Sequence, residues 1–264
     1  KKIKKNIRSI LDFLGYSLEP KRLMEHSVEP FFIAAKILKE ASINIIVDGG
    51  ASIGDTSLRL SELFPDSKVY SFEPYPPFIE ILKKKTKDNP NIEVQPFALD
   101  ETEGSKAMMV NESEGTNSFF TANQLENQPY GDLMRKKDEI EVTSKTLDHW
   151  AGEKKMNGID LLKLDLQGNE LATLRGATQH LETNKVKAIL TEVSFVHQYE
   201  NQPLAPEVMV MLNSYDFDLF NLYQMHYHHG QLVQADALFL HRSVSEGTIR
   251  ASKPLFLPHS KFLS

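Results

Sequence analysis

The chain has 264 residues, of which 41% are hydrophobic and 25% are charged, a composition typical of one large α/β domain. Its formal net charge of -6 argues against a general nucleic-acid binder, because contacts to phosphate groups need a surplus of Lys and Arg. The chain has no cysteine, which excludes disulfides and thiolate metal sites. It shows no apolar run long enough to span a membrane and no secretory signal pattern, which is compatible with a cytoplasmic location.

The first 42 residues predict a helical extension ahead of the main domain. In Lys1 to Leu14, Ile3 and Ile7 belong to one apolar stripe surrounded by lysines. This pattern favours a helix that packs on the domain or on a second subunit, so a homo-oligomer is compatible with the sequence; a membrane-surface anchor is the alternative. Glu29 to Ala41 predicts a second helix that leads into the first strand.

Asn44 to Ser57 reads N-I-I-V-D-G-G-A-S-I-G-D-T-S and predicts a buried strand, a tight turn and the start of a helix. We expect Gly50 and Ala51 to let a ligand approach the backbone and Gly54 to let the helix approach the strand. A dinucleotide-binding fingerprint would have glycine where this chain has Asp48. A carboxylate there repels a pyrophosphate but suits a ligand that carries an ammonium group.

The second strand, Lys68 to Phe72, ends at Glu73. An acid at the tip of the second strand of such a unit is placed to accept hydrogen bonds from both hydroxyls of a ribose. Together with Asp48 it predicts a cofactor with an adenosine-type ribose and a positively charged part, and S-adenosylmethionine has both. A nicotinamide-dependent oxidoreductase is the alternative, and Asp48 disfavours it.

The third strand is predicted from Ile92 to Ala98, and a purine ring would rest beside its tip. Ala98 and Leu99 form that tip, followed by Asp100. Asp100 would either accept a hydrogen bond from the adenine amino group or form a turn, and the sequence leaves both open.

Glu112 to Lys137 is a long irregular stretch of the kind that often forms a lid or a binding loop. Its rings Phe119, Phe120 and Tyr130 would either form an aromatic wall for a substrate or anchor the loop to the core. A strand from Glu139 to Ser144 and a short helix that contains Trp150 follow.

The fourth strand begins at Ile159 and carries two charges, Lys163 and Asp165, although a buried strand normally carries none. The two side chains point to the same face, so a structural ion pair is one explanation. The other is that Asp165, at the carboxyl end of the strand, faces the cleft beside the cofactor. A helix is predicted from Asn169 onwards.

A fifth strand from Lys187 to Val193 carries Glu192 near its end, and His197 follows. After a helix from Pro206 to Ser214, the segments 217–222 and 237–241 predict a closing antiparallel pair. The connection between them carries three histidines, for which an exposed turn is favoured over a metal site; these are His226, His228 and His229. The tail has no periodicity.

Several motifs together resemble the FkbM family of S-adenosylmethionine-dependent methyltransferases. They are V-D-G-G-A-S-I-G-D-T-S, S-F-E-P, F-A-L-D-E-T-E-G, T-L-D-H-W, L-L-K-L-D-L-Q-G-N-E-L-A-T-L-R-G-A, L-T-E-V and D-A-L-F-L, and they cover about residues 44 to 242. The resemblance implies an α/β Rossmann-like class I methyltransferase, with a seven-stranded, mostly parallel sheet of order 3-2-1-4-5-7-6, its last strand antiparallel and helices on both faces. We therefore expect a methyltransferase domain at residues 43–243, with a C-terminal tail at 244–264.

The resemblance also implies O-methylation of a hydroxyl on a sugar, glycan or polyketide-like small molecule, without a nucleic-acid partner. Residue by residue, it assigns the methionine part of the cofactor to Asp48, Gly50, Ala51 and Gly54, the ribose to Glu73, and the adenine to Ala98 and Leu99. The family usually has Glu where this chain has Gln167.

Three side chains are candidates for the general base. Asp165 is preferred, Glu192 would polarise or orient the acceptor, and His197 is the reserve. A magnesium ion held by Asp165 and Glu192 is possible but not favoured. A non-catalytic protein that binds the cofactor as a sensor or scaffold is the other alternative.

Overall fold

A computed structural model describes residues 29–38, 43–123 and 131–245 of the chain. The predicted helix in residues 1–14, Tyr130 and the tail beyond residue 245 lie outside these ranges. The strands, in chain order, are β1 (Ile45–Gly49), β2 (Lys68–Phe72), β3 (Ile92–Gln95), β4 (Ala98–Leu99), β5 (Gly104–Asn111), β6 (Lys136–Lys145), β7 (Ile159–Leu164), β8 (Val186–Ser194), β9 (Phe217–His228) and β10 (Gln231–His241).

The helices are α1 (Pro30–Leu38), α2 (Asp55–Leu63), α3 (Pro76–Thr86), α4 (Leu147–Glu153), α5 (Glu170–Arg175), α6 (Thr178–Glu182) and α7 (Ala205–Ser214). The helix predicted from Asn169 onwards is therefore two short helices, interrupted between Arg175 and Thr178. None of the helices in the described ranges is long and apolar enough to cross a membrane.

Seven strands form one sheet in the order β3-β2-β1-β7-β8-β10-β9. Numbered within this sheet alone, the order is 3-2-1-4-5-7-6, and β10 runs antiparallel to both of its neighbours. The predicted fold class, a Rossmann-like α/β sheet, is confirmed. Parallel strands place their carboxyl ends at one edge, where ligands bind in sheets of this kind.

Apolar side chains cover both faces of this sheet, as expected for parallel strands. All six residues of β7 are buried, including Lys163. One face packs around Phe72, Trp150 and Phe239, and the other packs against helices α1 and α2. The two cores fix the strand tips at the edge where the cleft lies.

A second sheet of three strands, in the order β4-β6-β5, was not predicted. The prediction of one strand from Ile92 to Ala98 was wrong, because β3 ends at Gln95 and the next two strand residues, Ala98 and Leu99, pair with β6. The change of sheet after Gln95 leaves Ala98 and Leu99 beside the cleft.

The closing hairpin is longer than predicted, and its connection is only two residues. Strand β9 includes His226 and His228, while His229 and Gly230 make the turn with φ angles of 48° and 81°. Two positive φ angles indicate a type I′ turn, whose twist matches that of the flanking strands. Only one of the three histidines therefore lies in a turn.

Candidate functional site

An open cleft of about 850 Å³, mouth included, lies at the carboxyl ends of β1, β2 and β7. Each of these strands contributes the residue that directly follows it: Gly50, Glu73 and Asp165. Ala98 and Leu99 line the cleft as predicted. The cleft is thus built from several segments that are separated in sequence and meet only in the folded chain.

The floor of the cleft is the turn after β1. Gly50 has a φ of 74°, and a Cβ atom there would stand 1.9 Å from the backbone oxygen of Asp165. The backbone N–H groups of Gly50 and Ala51 both donate to the carbonyl of Phe72, at 3.0 and 2.9 Å. These bonds hold the turn against β2. Position 50 requires glycine because a Cβ atom would collide with the Asp165 backbone and because its φ is positive.

Glu73 reaches the cleft from the tip of β2 with 6% of its surface exposed. Its two carboxylate oxygens accept hydrogen bonds from the backbone N–H groups of Ser52, at 2.9 Å, and Tyr75, at 2.8 Å. Burial raises the pKa of Glu73 to about 7, and the two backbone bonds oppose that shift. Each oxygen keeps a free lone pair, so the carboxylate can still accept hydrogen bonds from ribose hydroxyls.

Asp48 does not face the cleft, and its predicted contact with a ligand ammonium group is corrected. Its side chain is fully buried and accepts a hydrogen bond from Ser57 Oγ at 2.6 Å. Lys163 Nζ lies 3.1 Å from its other oxygen and also donates to the carbonyls of Gly49 and Gly50, at 3.2 and 3.0 Å. The charge of Asp48 is therefore compensated inside the protein, and the pair supports the turn from below.

An ion pair with Asp165 was one of the two explanations for Lys163, and the structure gives the lysine a closer partner. Its distance to Asp165 Oδ2 is 3.9 Å, compared with 3.1 Å to Asp48 Oδ1. Burial lowers the pKa of Lys163, but Asp48 and Asp165 raise it by more, so the net direction is upward. The lysine therefore stays charged between the two acids.

Three further predicted cofactor contacts do not line the cleft. Ala51 is buried in the turn. A Cβ atom on Gly54 would lie 2.7 Å from Leu82 of α3, so Gly54 allows close approach of α3 and not of the strand. Asp100 is fully buried, with Lys106 Nζ 2.6 Å from one oxygen and Asn169 Nδ2 3.2 Å from the other. Asp100 therefore connects β4, β5 and the segment before α5. Its predicted contact with adenine is corrected, because its side chain does not line the cleft.

The side chain of Asp165 lies between two cavities and lines both of them. Its side chain is 45% exposed and lines both the cleft and a second cavity of about 680 Å³. Gln167 Nε2 donates a hydrogen bond to Asp165 Oδ1 at 2.9 Å. A group bound in either cavity can therefore reach this carboxylate.

The second cavity is polar and carries more acids than bases. Glu192, which was predicted to be an acid of the cofactor cleft, lines this second cavity instead, with Gln234 Nε2 donating to Glu192 Oε2 at 2.6 Å. Asp236, which pairs in register with Glu192, also lines it, and the sequence analysis did not identify this residue. The sequence does contain a signal for Asp236, because a charge stands among the apolar residues of β10. The same kind of pattern drew attention to Lys163 in β7.

Two of these acids hold their protons unusually tightly. Burial raises the pKa of Glu192 well above its usual range, and the nearby charges of Asp165, Glu170 and Asp236 raise it further. Burial and the charge of Asp165 also raise the pKa of Asp236 to about 6. Both carboxyl groups therefore hold a proton more readily than an exposed carboxyl group does.

His197 is corrected as a catalytic candidate. Its side chain is exposed, its Nδ1 lies 3.1 Å from the carbonyl of Gln202, and it is not among the described residues that line either cavity. His226 does line the second cavity. Within residues 29–38, 43–123 and 131–245, no three His, Asp or Glu side chains are arranged so that they could hold a metal ion.

The loop rings have different roles. Phe119 lines the cleft, with Lys106 Nζ 4.5 Å above its ring centre, while Phe120 packs against a small cluster around Tyr199. The loop also brings Asn117 and Ser118 to the cleft, which the sequence analysis did not identify. Their polar, turn-like sequence gives no signal that separates them from other loop residues.

Comparison with known proteins identifies the family to which the chain is similar. A family model described as "Methyltransferase FkbM domain" matches residues 48–219. The chain is 28% identical over 144 residues to "Methyltransferase 1" of Beauveria bassiana (strain ARSEF 2860), covering 50% of this chain and 58% of that protein. It is 24% identical over 177 residues to "2-O-methyltransferase NoeI" of Sinorhizobium fredii (strain NBRC 101917 / NGR234), covering 65% and 72%. It is 26% identical over 198 residues to "Methyltransferase sdnD" of Sordaria araneosa, covering 66% and 73%.

Proposed function

Because this chain belongs to the FkbM methyltransferase domain family, we propose that it transfers the methyl group of S-adenosylmethionine to a hydroxyl oxygen of a sugar, a glycan or a polyketide-like small molecule. The name of the relative from Sinorhizobium fredii supports oxygen as the atom that receives the methyl group. The observation that carries the proposal is the position of Asp165, which lines both the cleft and the polar cavity beside it.

The cleft residues suit the parts of this cofactor. Glu73 has free lone pairs for the ribose hydroxyls, and Ala98 and Leu99 give the adenine an apolar wall. Gly50 lines the cleft with backbone alone, so a ligand can approach the main chain there. The carboxylates of Glu73 and Asp165 make the cleft favourable for a cation.

The residues at the junction of the two cavities can perform the transfer. When bound, the cofactor supplies a methyl group on a positively charged sulfur, which keeps the bonding electron pair as the methyl group leaves. Asp165 holds the acceptor hydroxyl and takes its proton on a free lone pair of the carboxylate, whose Oδ1 also accepts a hydrogen bond from Gln167. Holding the acceptor oxygen in line with the methyl group is the larger task, because the methyl group is already activated.

The polar cavity suits an acceptor with several hydroxyl groups. Glu192, Asp236 and Gln224 line this cavity and can exchange hydrogen bonds with the hydroxyl groups of an acceptor. The excess of acids disfavours an anionic acceptor. Phe31 and Leu190 give the cavity a smaller apolar side.

A screen with radiolabelled S-adenosylmethionine tests the proposal. The full chain is incubated with monosaccharides, oligosaccharides and hydroxylated polyketides, and the methylated position of any product is read by NMR. We expect transfer to oxygen. Asp165→Asn should lower kcat by about 10² to 10⁴-fold, because a general base contributes about that much, while the affinity for the cofactor stays within a few-fold.

Asp88→Asn is the matched control, because Asp88 is exposed at the surface. It should leave kcat unchanged. Transfer to nitrogen or carbon would refute the O-methylation part of the proposal. Full activity of Asp165→Asn would refute the assignment of the base without affecting the family.

A further inference from the structure

Gln167 occupies a backbone position that is costly for its residue type. It has a φ of 52°, in the left-handed region that glycine adopts readily and other residues rarely adopt. Such positions persist where surrounding contacts over-determine them, often at functional sites. Contacts on three sides hold Gln167 in place.

The first contact is to the candidate base. Gln167 Nε2 donates to Asp165 Oδ1 at 2.9 Å. A carboxylate only accepts hydrogen bonds, so the amide nitrogen must face Asp165 and the amide oxygen must face away. The orientation of this amide therefore follows from the chemistry of its neighbours.

The second and third contacts are to Tyr199 and to Ser118, of which Ser118 lines the cleft. The single proton of the Tyr199 hydroxyl is shared between Gln167 Oε1, at 3.0 Å, and the carbonyl oxygen of Thr116, at 2.9 Å. The backbone carbonyl of Gln167 accepts from Ser118 Oγ at 2.6 Å. Tyr199 itself is 2% exposed, so the hydroxyl is held on a rigid ring.

From this chain of contacts we propose that Gln167 is a positioning residue, whose amide, held by Tyr199, fixes the orientation of the Asp165 carboxylate at the junction of the two cavities. The inference rests on the proposed function, because it gives Asp165 the role of base. The loop segment 116–118 is part of the same network, since Thr116 and Ser118 contact Tyr199 and Gln167. With Oδ1 held by the amide, the remaining lone pairs of the carboxylate keep a fixed direction toward the acceptor proton.

The first measurement needs neither cofactor nor acceptor. The protein is labelled with ¹³C at the aspartate carboxyl carbon, and the Asp165 resonance is identified by its loss in Asp165→Asn. We expect Gln167→Met to shift this resonance, because methionine keeps the length of the side chain and removes the donor. Tyr199→Phe should shift it in the same direction by a smaller amount.

Gln179→Met is the matched control, because Gln179 is exposed on α6 and undergoes the same chemical change. It should leave the Asp165 resonance in place. An Asp165 resonance that does not move in Gln167→Met overturns the proposal. This outcome is independent of whether any acceptor is methylated, so it is distinct from a failure of the proposed function.

The second measurement separates positioning from stability. With an acceptor methylated by the wild-type chain, Gln167→Met should lower kcat by up to about 100-fold, as expected when a catalytic group loses its alignment. The KM for S-adenosylmethionine should change by much less. A purely structural role would instead lower the melting temperature and leave kcat of the folded fraction unchanged, and that result would also overturn the proposal.

Gln167→Glu gives a further comparison. It keeps the shape of the side chain but places a second carboxylate within hydrogen-bond distance of Asp165, and two like charges at that distance repel each other. The family usually has Glu at this position, but in this chain the amide donates to Asp165, so we expect kcat to fall as in Gln167→Met. Activity equal to that of the wild type would show that the donor is not needed.

Discussion

At the scale of single residues, Glu73 shows how one carboxylate can be held by the protein and still serve a ligand. Two backbone N–H groups fix its orientation, and burial raises its pKa to about 7. The group therefore changes its charge near neutral pH. Binding of ribose hydroxyls favours the ionised form, because that form only accepts hydrogen bonds.

We expect Glu73→Ala to weaken binding of S-adenosylmethionine about 10- to 100-fold, since a hydrogen bond to a charged group contributes about 1.5 to 3 kcal/mol. Isothermal titration calorimetry measures this. Affinity of the wild type should also fall as pH drops through about 7, and Glu73→Ala should lack this dependence. Glu80→Ala, at an exposed position on α3, is the control. Equal affinity of wild type and Glu73→Ala would remove Glu73 from the cofactor site.

At the scale of elements, the turn between β1 and α2 is fixed by contacts from two other strands. Gly50 packs against the carbonyl of Asp165 and donates its N–H to the carbonyl of Phe72. Lys163 supports the same turn from below through the carbonyls of Gly49 and Gly50. The shape of the floor of the cleft therefore depends on β1, β2 and β7 together.

Gly50→Ala should destabilise the protein and abolish binding of S-adenosylmethionine. The new methyl group would lie 1.9 Å from a backbone oxygen, and a non-glycine residue at this φ costs about 1 to 2 kcal/mol by itself. Gly152→Ala is the matched control, because no atom lies within 4 Å of its Cβ position and it sits in α4. It should be neutral or stabilise by about 0.5 to 1 kcal/mol. Thermal unfolding and calorimetry distinguish the two, and normal binding by Gly50→Ala would contradict this account of the turn.

Lys163→Met should lower the free energy of unfolding by about 3 to 5 kcal/mol, because it leaves the buried charge of Asp48 without a partner. Adding Asp48→Asn to that variant should restore part of the loss. Lys84→Met, at an exposed position on α3, should change stability by less than about 0.5 kcal/mol. Denaturation with urea measures all four chains. If the double variant were less stable than Lys163→Met alone, the pair would not be the main reason for the loss.

At the scale of the whole molecule, the site contains buried acids whose pKa values are higher in the folded chain than in the unfolded chain. Burial raises the pKa of both Glu73 and Glu170 to about 7 and that of Asp236 to about 6. The folded chain then holds more protons than the unfolded chain between about pH 4 and 7. Stability contributed by these groups is present at low pH and is lost as pH rises through the folded pKa values.

Asp236→Asn should therefore stabilise the protein at pH 8 by about 1 to 3 kcal/mol, from a shift of about two pKa units in a largely buried group. The difference from wild type should shrink as pH falls below 6, where Asp236 becomes neutral. Urea denaturation at pH 5 and pH 8 measures it. If Asp236→Asn lowered the free energy of unfolding equally at both pH values, the Asp236 side chain would stabilise the folded chain, and burial would not disfavour its charged form.

The location in the cytoplasm, the division of the chain at residues 43 and 243, and the homo-oligomer stay predictions. Family membership is different, because it depends on motifs that can be compared directly, and the match over residues 48–219 confirms it.

The sequence by itself determined the fold class, the family and the position of the cleft, because each of these depends on local patterns: apolar strands, a glycine turn, and acids directly after β2 and β7. Only the tertiary structure decided which acids line a cavity. Asp48 and Asp100 are neutralised by Lys163 and Lys106 inside the protein, while Asp236 joins Glu192 through strand pairing. A sequence pattern can mark a charge as unusual, but its partner is chosen by the packing of strands and loops, and Asp48 and Lys163 are brought together only by the pairing of β1 with β7.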